Sequence, residues 1–507
     1  MSAVSDFSAL RNELSEYVGR AGSTLVSRGD KYKSNVKRSI DRELDLRELR
    51  VLRSLVEELE STAEFQSLVK ETARSFSRRP NKMSYLDLWV DNVKTFLRRS
   101  GFYLSTYRQR FIDLDHLLAN YTKAFANKKT VVRHFAPLEL VAFDQDAFEF
   151  GSFRVSRLDH HEIESILRNE INRIFYPYAY ADTAVLAEIW FLVVTETVVA
   201  WEPGSGGPAG IRGAELGLKS TDFHSAVEYA LKHLALFDWG TYQAPSGVTQ
   251  LSKLIPKLDT GWDRFHIPFV ITLHENELWA PNALPDLKTL STEPDHNWEG
   301  EEIGQKPVVS IFVEGGQFRP TIEQIVDVMK TSEFQRANEW LFLDTALSYI
   351  AKAFFADGLD QLLWHFVAIE CLLGDRDSSL TKRLAKRVAF VAEDNDQARS
   401  RIRKLITSPD GLYQLRSDLV HGNSEIVQKK VYLGHLREAR ELARKSVLWF
   451  LETLSSFGQN KGNALIPTRE EVVAAIDVFS DGKLNVTSVQ AVMSIFFKRG
   501  AAQSEKD

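Results

Sequence analysis

Apolar positions recur at helical spacing over most of the chain, beginning in its first quarter. The clearest early example is the set Leu49, Leu52, Val56 and Leu59, whose members lie three and four residues apart. This spacing puts the four side chains on one face of an α-helix, which can be buried against a neighbour. The pattern predicts a helical N-terminal region over residues 1–130.

Short runs of β-branched and aromatic residues replace the helical spacing in the middle of the chain. Two of these runs, Phe148–Phe150 and Phe153–Val155, are separated only by Gly151 and Ser152, which predicts a tight hairpin. The other predicted strands are Leu138–Phe143, Phe265–Leu273 and Val308–Val313. Two segments rich in Gly or Pro predict long loops, at Pro203–Gly213 and Asn282–Trp298. We expect a mixed α/β domain over residues 131–332, with a sensor or regulatory role.

Helical spacing returns after Phe334 and becomes strong. Leu343, Leu347, Ile350 and Phe354 form one apolar ridge, which must be buried. Later helices are predicted near residues 362–373, 380–391, 412–419 and 436–454, with glycines at positions 358, 374 and 422 at their ends. The expected architecture is a helical bundle over residues 333–460. We expect residues 461–507 to form a helical appendage. The whole chain is expected to be multidomain and mainly α.

Composition narrows the class of protein. Of the 507 residues, 44% are hydrophobic and 26% are charged, which is typical of globular domains and excludes a largely disordered chain. The net charge of -6 argues against a general nucleic-acid coat but permits a local basic patch. The single cysteine, Cys371, cannot form an intrachain disulfide, and a reducing cytoplasm fits. The longest apolar run, Ile189–Trp201, contains polar residues and is too short to cross a bilayer, so no membrane association is expected.

Motifs for metals and cofactors fail on spacing. In the acidic segment from Asp477 to Ser488, Phe479 offers no oxygen ligand, and Ser488 stands where a calcium loop needs a bidentate Glu. The segment Asp159–Glu162 contains two histidines, but an Asp followed three residues later by Glu is better explained as a helix cap. We therefore expect neither a metal ion nor a cofactor.

One short segment combines chemistry with a suitable context. Within the predicted bundle, Arg416 and His421 lie five residues apart, directly before Gly422. Cleaving RNA without a metal needs a base for the 2′-hydroxyl and a cation for the phosphate oxygens. Histidine exchanges protons near neutral pH, and arginine presents a planar charged fork to phosphate. Ser417 and Asn423 could add polar contacts.

The segment also resembles a known family. Arg416, four intervening residues, His421 and Gly422, preceded by Tyr413 and by the helix sequence Val367–Leu372, are similar to the Apea-like HEPN family. The resemblance implies a helical bundle and a metal-independent ribonuclease of prokaryotic toxin or defence systems. It implies that Arg416 and His421 are the arginine and the histidine of the family's catalytic motif. Glu370 falls at a position where many HEPN domains carry an acid. Ser417 departs from the strongly polar or charged residue often found there, which puts the rate in doubt.

Several interpretations stay open. Glu370 can be catalytic or only a structural ion-pair partner. A basic helix face of four residues can hold the RNA backbone or simply face solvent: Lys382, Arg383, Lys386 and Arg387. The chain can be an endoribonuclease held off until a phage-derived or cellular trigger arrives, a non-catalytic scaffold that binds RNA or nucleotides, or a sensor that acts through a partner protein.

A homodimer is expected for a geometrical reason. Five residues of α-helix turn through about 500°, so two side chains at that spacing emerge about 140° apart. One short helix cannot easily aim both Arg416 and His421 at the same phosphate. A two-fold dimer can bring two copies of each residue into one cleft, as the family resemblance also implies.

Overall fold

The protein is mainly helical, with a small sheet region in the middle of the chain. Its architecture comes from a computed structural model. The structure describes residues 7–29, 44–76, 86–127, 129–179, 183–199, 223–241, 264–281, 292–333, 336, 340–356, 358–375, 380–423, 427, 433–459, 466–480, 482 and 486–504.

Up to residue 199, the described part of the chain contains nine α-helices and five strands. In chain order these are α1 (Ser8–Gly29), α2 (Leu46–Leu59), α3 (Ala63–Phe76), α4 (Leu86–Arg99), α5 (Phe102–Tyr107), α6 (Leu114–Ala126), β1 (Lys129–Leu138), β2 (Leu140–Phe143), β3 (Ala147–Glu149), β4 (Phe153–Arg157), α7 (His160–Leu167), α8 (Asn169–Phe175), α9 (Thr183–Ala187) and β5 (Trp190–Val199).

After residue 199, one α-helix and four short strands come first, and the described part is entirely helical from residue 315 onward. The elements are α10 (Ser225–Ala235), β6 (Ile271–His274), β7 (Thr292–His296), β8 (Glu302–Pro307), β9 (Val309–Val313), α11 (Gly315–Thr331), α12 (Leu341–Phe355), α13 (Gly358–Leu373), α14 (Leu380–Ala392), α15 (Asp396–Thr407), α16 (Leu412–Val420), α17 (Leu433–Gln459), α18 (Arg469–Phe479) and α19 (Ser488–Ser504).

The chain divides into two compact units, each built from separate stretches of sequence. Unit 1 consists of Met1–Pro137, Val155–Gly217 and Ile267–Pro307. Unit 2 consists of Leu138–Arg154, Leu218–His266 and Val308–Asp507. The predicted middle region, residues 131–332, is therefore divided between the two units.

Unit 1 contains the predicted N-terminal helices. The helix α1 packs against α3 and α5, and the buried Tyr17 and Tyr103 share a hydrogen bond of 2.6 Å between their hydroxyl groups. Unit 1 also contains a sheet in which β4, β5, β1 and β6 are neighbours in that order. The sequence pattern does not predict β5, because its residues 191–194 are all buried and lack the alternation of a half-buried strand.

The predicted tight hairpin is confirmed. The Phe150 N–H donates to the Phe153 carbonyl at 2.9 Å, and Gly151 takes a φ of +78°. Glycine adopts this left-handed conformation without the steric cost that a side chain would bring. In unit 2, β2 pairs in parallel with β9, and each of these strands lies within a predicted run, Leu138–Phe143 and Val308–Val313 respectively.

The prediction of a loop over Asn282–Trp298 is wrong for the second part of that segment. Residues 292–296 form β7, which pairs antiparallel with β8. Pro294 lies inside this strand. A two-stranded ribbon consists only of edge strands, where a proline that lacks an N–H is tolerated. The other predicted loop, Pro203–Gly213, lies outside the described residues.

The helices of unit 2 confirm the predicted elements between residues 341 and 459 and add one. The helix α13 packs against α12, α16 and α17, and the ridge of Leu343, Leu347, Ile350 and Phe354 is buried as predicted. The added helix is α15, which packs against α14 and was not predicted from the sequence.

The last two helices belong to unit 2 and pack against its other helices. Asp477 of α18 forms an ion pair of 2.6 Å with Arg387 of α14. The indole N–H of Trp449 donates to the Ser488 hydroxyl at 3.0 Å, where α19 begins. Among the described residues, we find no helix with both the length and the apolar content needed to cross a bilayer.

Candidate active site

The segment that contains Arg416 and His421 forms α16 and its C-terminal cap. His421 is the first residue after the helix, and Gly422 follows with a φ of +84°. The Gly422 N–H donates to the Leu419 carbonyl at 3.2 Å, and the Asn423 N–H donates to the Asp418 carbonyl at 2.9 Å. These two bonds and the left-handed glycine define a Schellman motif. The cap therefore fixes the backbone at His421 through main-chain contacts and Gly422, independently of the imidazole ring.

Arg416 is held by an acid from another helix. Its Nη2 donates to Glu370 Oε2 of α13 at 2.6 Å, so Glu370 does form the ion pair that was one of its two possible roles. The two side chains are 23% and 18% exposed respectively, so this ion pair is mostly but not fully shielded from solvent. The pair fixes the direction in which the guanidinium leaves α16.

The electrostatics of this pair are asymmetric. Burial raises the pKa of the Glu370 carboxyl, and the nearby positive charge of Arg416 offsets part of that rise. Arg416 Nε is buried and has no hydrogen-bond partner among the described residues. Arginine stays charged at any ordinary pH, whereas a glutamate that has lost its partner can take up a proton. Glu370 is therefore best described as a group that positions Arg416.

His421 lies at the surface beyond the last turn of α16. The residue is exposed, as are Gly422 and Asn423, and no described residue hydrogen-bonds its ring. Its backbone N–H still donates to the Ser417 carbonyl at 3.0 Å, so the helical path continues through position 421. The angular separation of about 140° from Arg416 therefore applies to the folded chain. The imidazole can contact a ligand that approaches from solvent.

The supporting residues differ in their surroundings. Tyr413 packs edge-on against Phe366 of α13, with the ring centroids 6.0 Å apart, so it anchors α16 to the bundle. Ser417 is half-buried, one residue after Arg416. Asp418, which the sequence analysis did not select, accepts a hydrogen bond from the Gln414 carboxamide at 2.8 Å. This hydrogen bond could have been predicted from the sequence, because a Gln and an Asp four residues apart on one helix lie next to each other.

The predicted basic face of α14 separates into two kinds of residue. Lys382 is exposed, and Arg383 forms an ion pair of 3.1 Å with Asp375. Lys386 is half-buried. Arg387 is 2% exposed, pairs with Asp477 and Asp375, and donates to the Leu373 carbonyl at 2.9 Å. Its guanidinium is thus engaged within the protein, and the outer part of the face is formed by the other three residues.

Comparison of the chain with protein-family profiles, with curated proteins and with solved structures gave no match. The likeness to the Apea-like HEPN family stays a prediction that depends on the motif around Arg416 and His421.

Proposed function

We propose that the protein is a metal-independent endoribonuclease of the HEPN type, acting as a toxin or anti-phage defence effector after a phage-derived or cellular trigger. The observation that carries the proposal is the combination of two groups on α16. Arg416 is oriented by Glu370 at 2.6 Å, and the exposed His421 stands on a fixed helix cap. Arg416 therefore supplies a positioned cation, and His421 supplies an accessible proton acceptor.

The proposed step is an internal transfer of the phosphoryl group. His421 takes the proton of the RNA 2′-hydroxyl, and the 2′-oxygen forms a bond to the adjacent phosphorus. The bond from phosphorus to the 5′-oxygen breaks, its electron pair stays on that oxygen, and a proton is returned to it. The products are a 2′,3′-cyclic phosphate and a 5′-hydroxyl. Arg416 stabilises the charge that develops on the phosphate oxygens.

We further propose that a two-fold dimer completes the site. A proton must be delivered to the 5′-oxygen while another is removed from the 2′-hydroxyl, and one histidine cannot do both at the same moment. In the intact dimer the partner's His421 supplies the acid and the two arginines converge on the same phosphate, whereas in a dimer with one histidine water serves as a slower acid. This arrangement also resolves the wide angle between Arg416 and His421 on a single helix.

The test of catalysis compares site variants with matched surface variants. His421→Ala and Arg416→Ala should lose cleavage of total RNA, while His161→Ala and Arg50→Ala, which replace exposed residues in unit 1, should keep it. Wild-type products should carry 2′,3′-cyclic phosphate ends, because the 2′-oxygen is the nucleophile. Cleavage that survives in both site variants, or products with 3′-hydroxyl ends, would contradict the proposal.

The non-catalytic alternative has one observation in its favour. Arg416 is already engaged by Glu370, as a purely structural arginine would be. A scaffold that binds RNA would retain RNA binding and show no cleavage in the wild-type protein under any trigger condition. That result would favour the alternative over the enzyme.

The dimer has its own test. Co-expressed Arg416→Ala and His421→Ala chains should form a mixed dimer that contains one intact Arg and one intact His. Partial activity in this mixture, with none in either variant alone, would support a shared site. A fully active monomer in light scattering at the assay concentration would contradict it.

A further inference from the structure

Unit 1 contains a polar cavity far in sequence from the motif of α16. Its volume is about 470 Å³, which falls within the range of about 300–1,000 Å³ that small-molecule sites usually have. The cavity is lined by the C-terminal parts of α4 and α6, the start of β1, the junction of α7 and α8, and the turn after β6.

Two strained residues line this cavity and are paired with each other. Arg168 has a φ of +47° and Glu277 a φ of +58°, a left-handed conformation that is unfavourable for residues with side chains. An ion pair joins their side chains. Glu277 also accepts from Arg99 Nε at 2.9 Å, and Arg168 Nη1 donates to the Arg99 carbonyl at 2.5 Å. Non-glycine residues in such conformations concentrate at functional sites, because the surrounding structure must hold them there.

A buried donor in the same turn lacks an acceptor. Asn276 lines the cavity and is 9% exposed. Its Oδ1 accepts from the Leu278 N–H at 3.3 Å, but its buried Nδ2 has no partner among the described residues. Buried polar groups are nearly always paired, so an unpartnered carboxamide nitrogen indicates a position where a ligand or a bound water supplies the acceptor.

The charge around the cavity is positive. Both acids of its lining are already neutralised, Glu275 by Arg133 at 2.6 Å and Glu277 by Arg99 and Arg168. Lys123 and Lys129 also line the cavity, and both are exposed. The ends of α4 and α6 each contribute about half a negative charge, which leaves an excess of positive charge. A compact ammonium group is a common phosphate binder.

We propose that this cavity binds a small phosphate-bearing ligand of about mononucleotide size. Lys123 and Lys129 hold the phosphate at the exposed side. The Asn276 carboxamide donates to an acceptor on the body of the ligand. Hydroxyl or amino donors of the ligand face the carboxylates of Glu275 and Glu277.

The experiment measures binding to the full-length protein by isothermal titration calorimetry. The probes are the four ribonucleoside 5′-monophosphates, ribose 5-phosphate, adenosine and inorganic phosphate. We expect at least one monophosphate to bind, and adenosine, which lacks the phosphate, to bind at least tenfold more weakly. Lack of binding by every organic phosphate, or equally tight binding of inorganic phosphate, would overturn the proposal.

Variants identify the cavity as the site. Lys123→Glu with Lys129→Glu should weaken binding at least tenfold, whereas Lys70→Glu, an exposed lysine on α3, should leave it unchanged. Lys123→Gln with Lys129→Gln and the single change Asn276→Ala provide milder tests that preserve folding. His421→Ala should bind the monophosphate as the wild type does, because its site lies on α16. Unchanged affinity in all the cavity variants would overturn the proposal, whatever the activity of the motif.

Discussion

The ion pair between Arg416 and Glu370 predicts an unequal response to the loss of either partner. Glu370→Ala leaves a guanidinium that is only 23% exposed, that stays charged, and whose Nε already lacks a partner. Breaking a fully buried pair costs about 3–5 kcal/mol and an exposed pair at most about 1 kcal/mol. For this intermediate burial we expect a loss of about 2 kcal/mol in the free energy of unfolding.

The reverse change should depend on pH. Arg416→Met keeps the unbranched stem, so the main loss is the cation that stabilises the Glu370 carboxylate. Burial already raises the pKa of Glu370 above its ordinary value of 4.5, and removing Arg416 raises it further. A raised folded-state pKa gives stability that is fully present at low pH and is lost as the pH rises through that pKa. The destabilisation by Arg416→Met should therefore grow from pH 5 to pH 8, whereas that by Glu370→Ala, which removes the group with the raised pKa, should not grow over this range.

The assay combines thermal unfolding of the full chain with amide hydrogen exchange in α13 and α16. Exchange reports the stability of these helices separately from the rest of the chain. Glu323→Ala, an exposed acid on α11, serves as the control and should change stability by less than about 0.5 kcal/mol. An unchanged free energy of unfolding in Glu370→Ala would refute this account of the ion pair. So would a destabilisation by Arg416→Met that does not change with pH.

Two further changes probe the surroundings of the motif. Gly422→Ala should lower the free energy of unfolding by about 1 kcal/mol because of the φ of +84°, although no atom would lie within 4 Å of the new Cβ. Gly19→Ala, inside α1 and equally uncrowded, should be neutral or stabilising. Equal effects of the two changes on the melting temperature would contradict the role of Gly422 in the helix cap. Arg387→Ala should cost about 3 kcal/mol, because a buried ion-pair partner is lost, whereas Lys382→Ala should leave stability unchanged and weaken RNA binding with a smaller salt dependence. Loss of RNA binding in folded Arg387→Ala and none in Lys382→Ala would reverse this assignment.

Much of unit 2 could be predicted from the sequence because its helices carry regular apolar ridges. The pairing of Glu370 was accessible in part, because a structural ion pair was one of the two roles that the sequence left open for it. The helix α15 was missed because one of its buried positions is Arg399, whose guanidinium stacks over Phe390 at 5.0 Å. A buried arginine interrupts an apolar stripe and hides the helical periodicity.

Other features depend on contacts between distant parts of the chain. Arg387 resembled its basic neighbours in sequence, but Asp477, ninety residues later, pairs with it and explains its burial. The left-handed backbone at Arg168 and Glu277 has no local signal, because neither residue is a glycine or an asparagine. The strand β5 was missed because both faces of its first half, residues 190–194, are buried, which removes the alternation that reveals a strand.

The most direct measurement of the proposed ribonuclease uses the chemistry of its nucleophile. The full-length protein is incubated in excess chelator with an RNA that it cleaves, and with the same RNA carrying 2′-O-methyl groups at the cleavage sites. The account predicts cleavage of the unmodified RNA to 2′,3′-cyclic phosphate ends and none at the methylated positions, because the attacking 2′-hydroxyl is blocked. Cleavage of the methylated RNA at the same positions, or a requirement for a divalent metal ion, would contradict it.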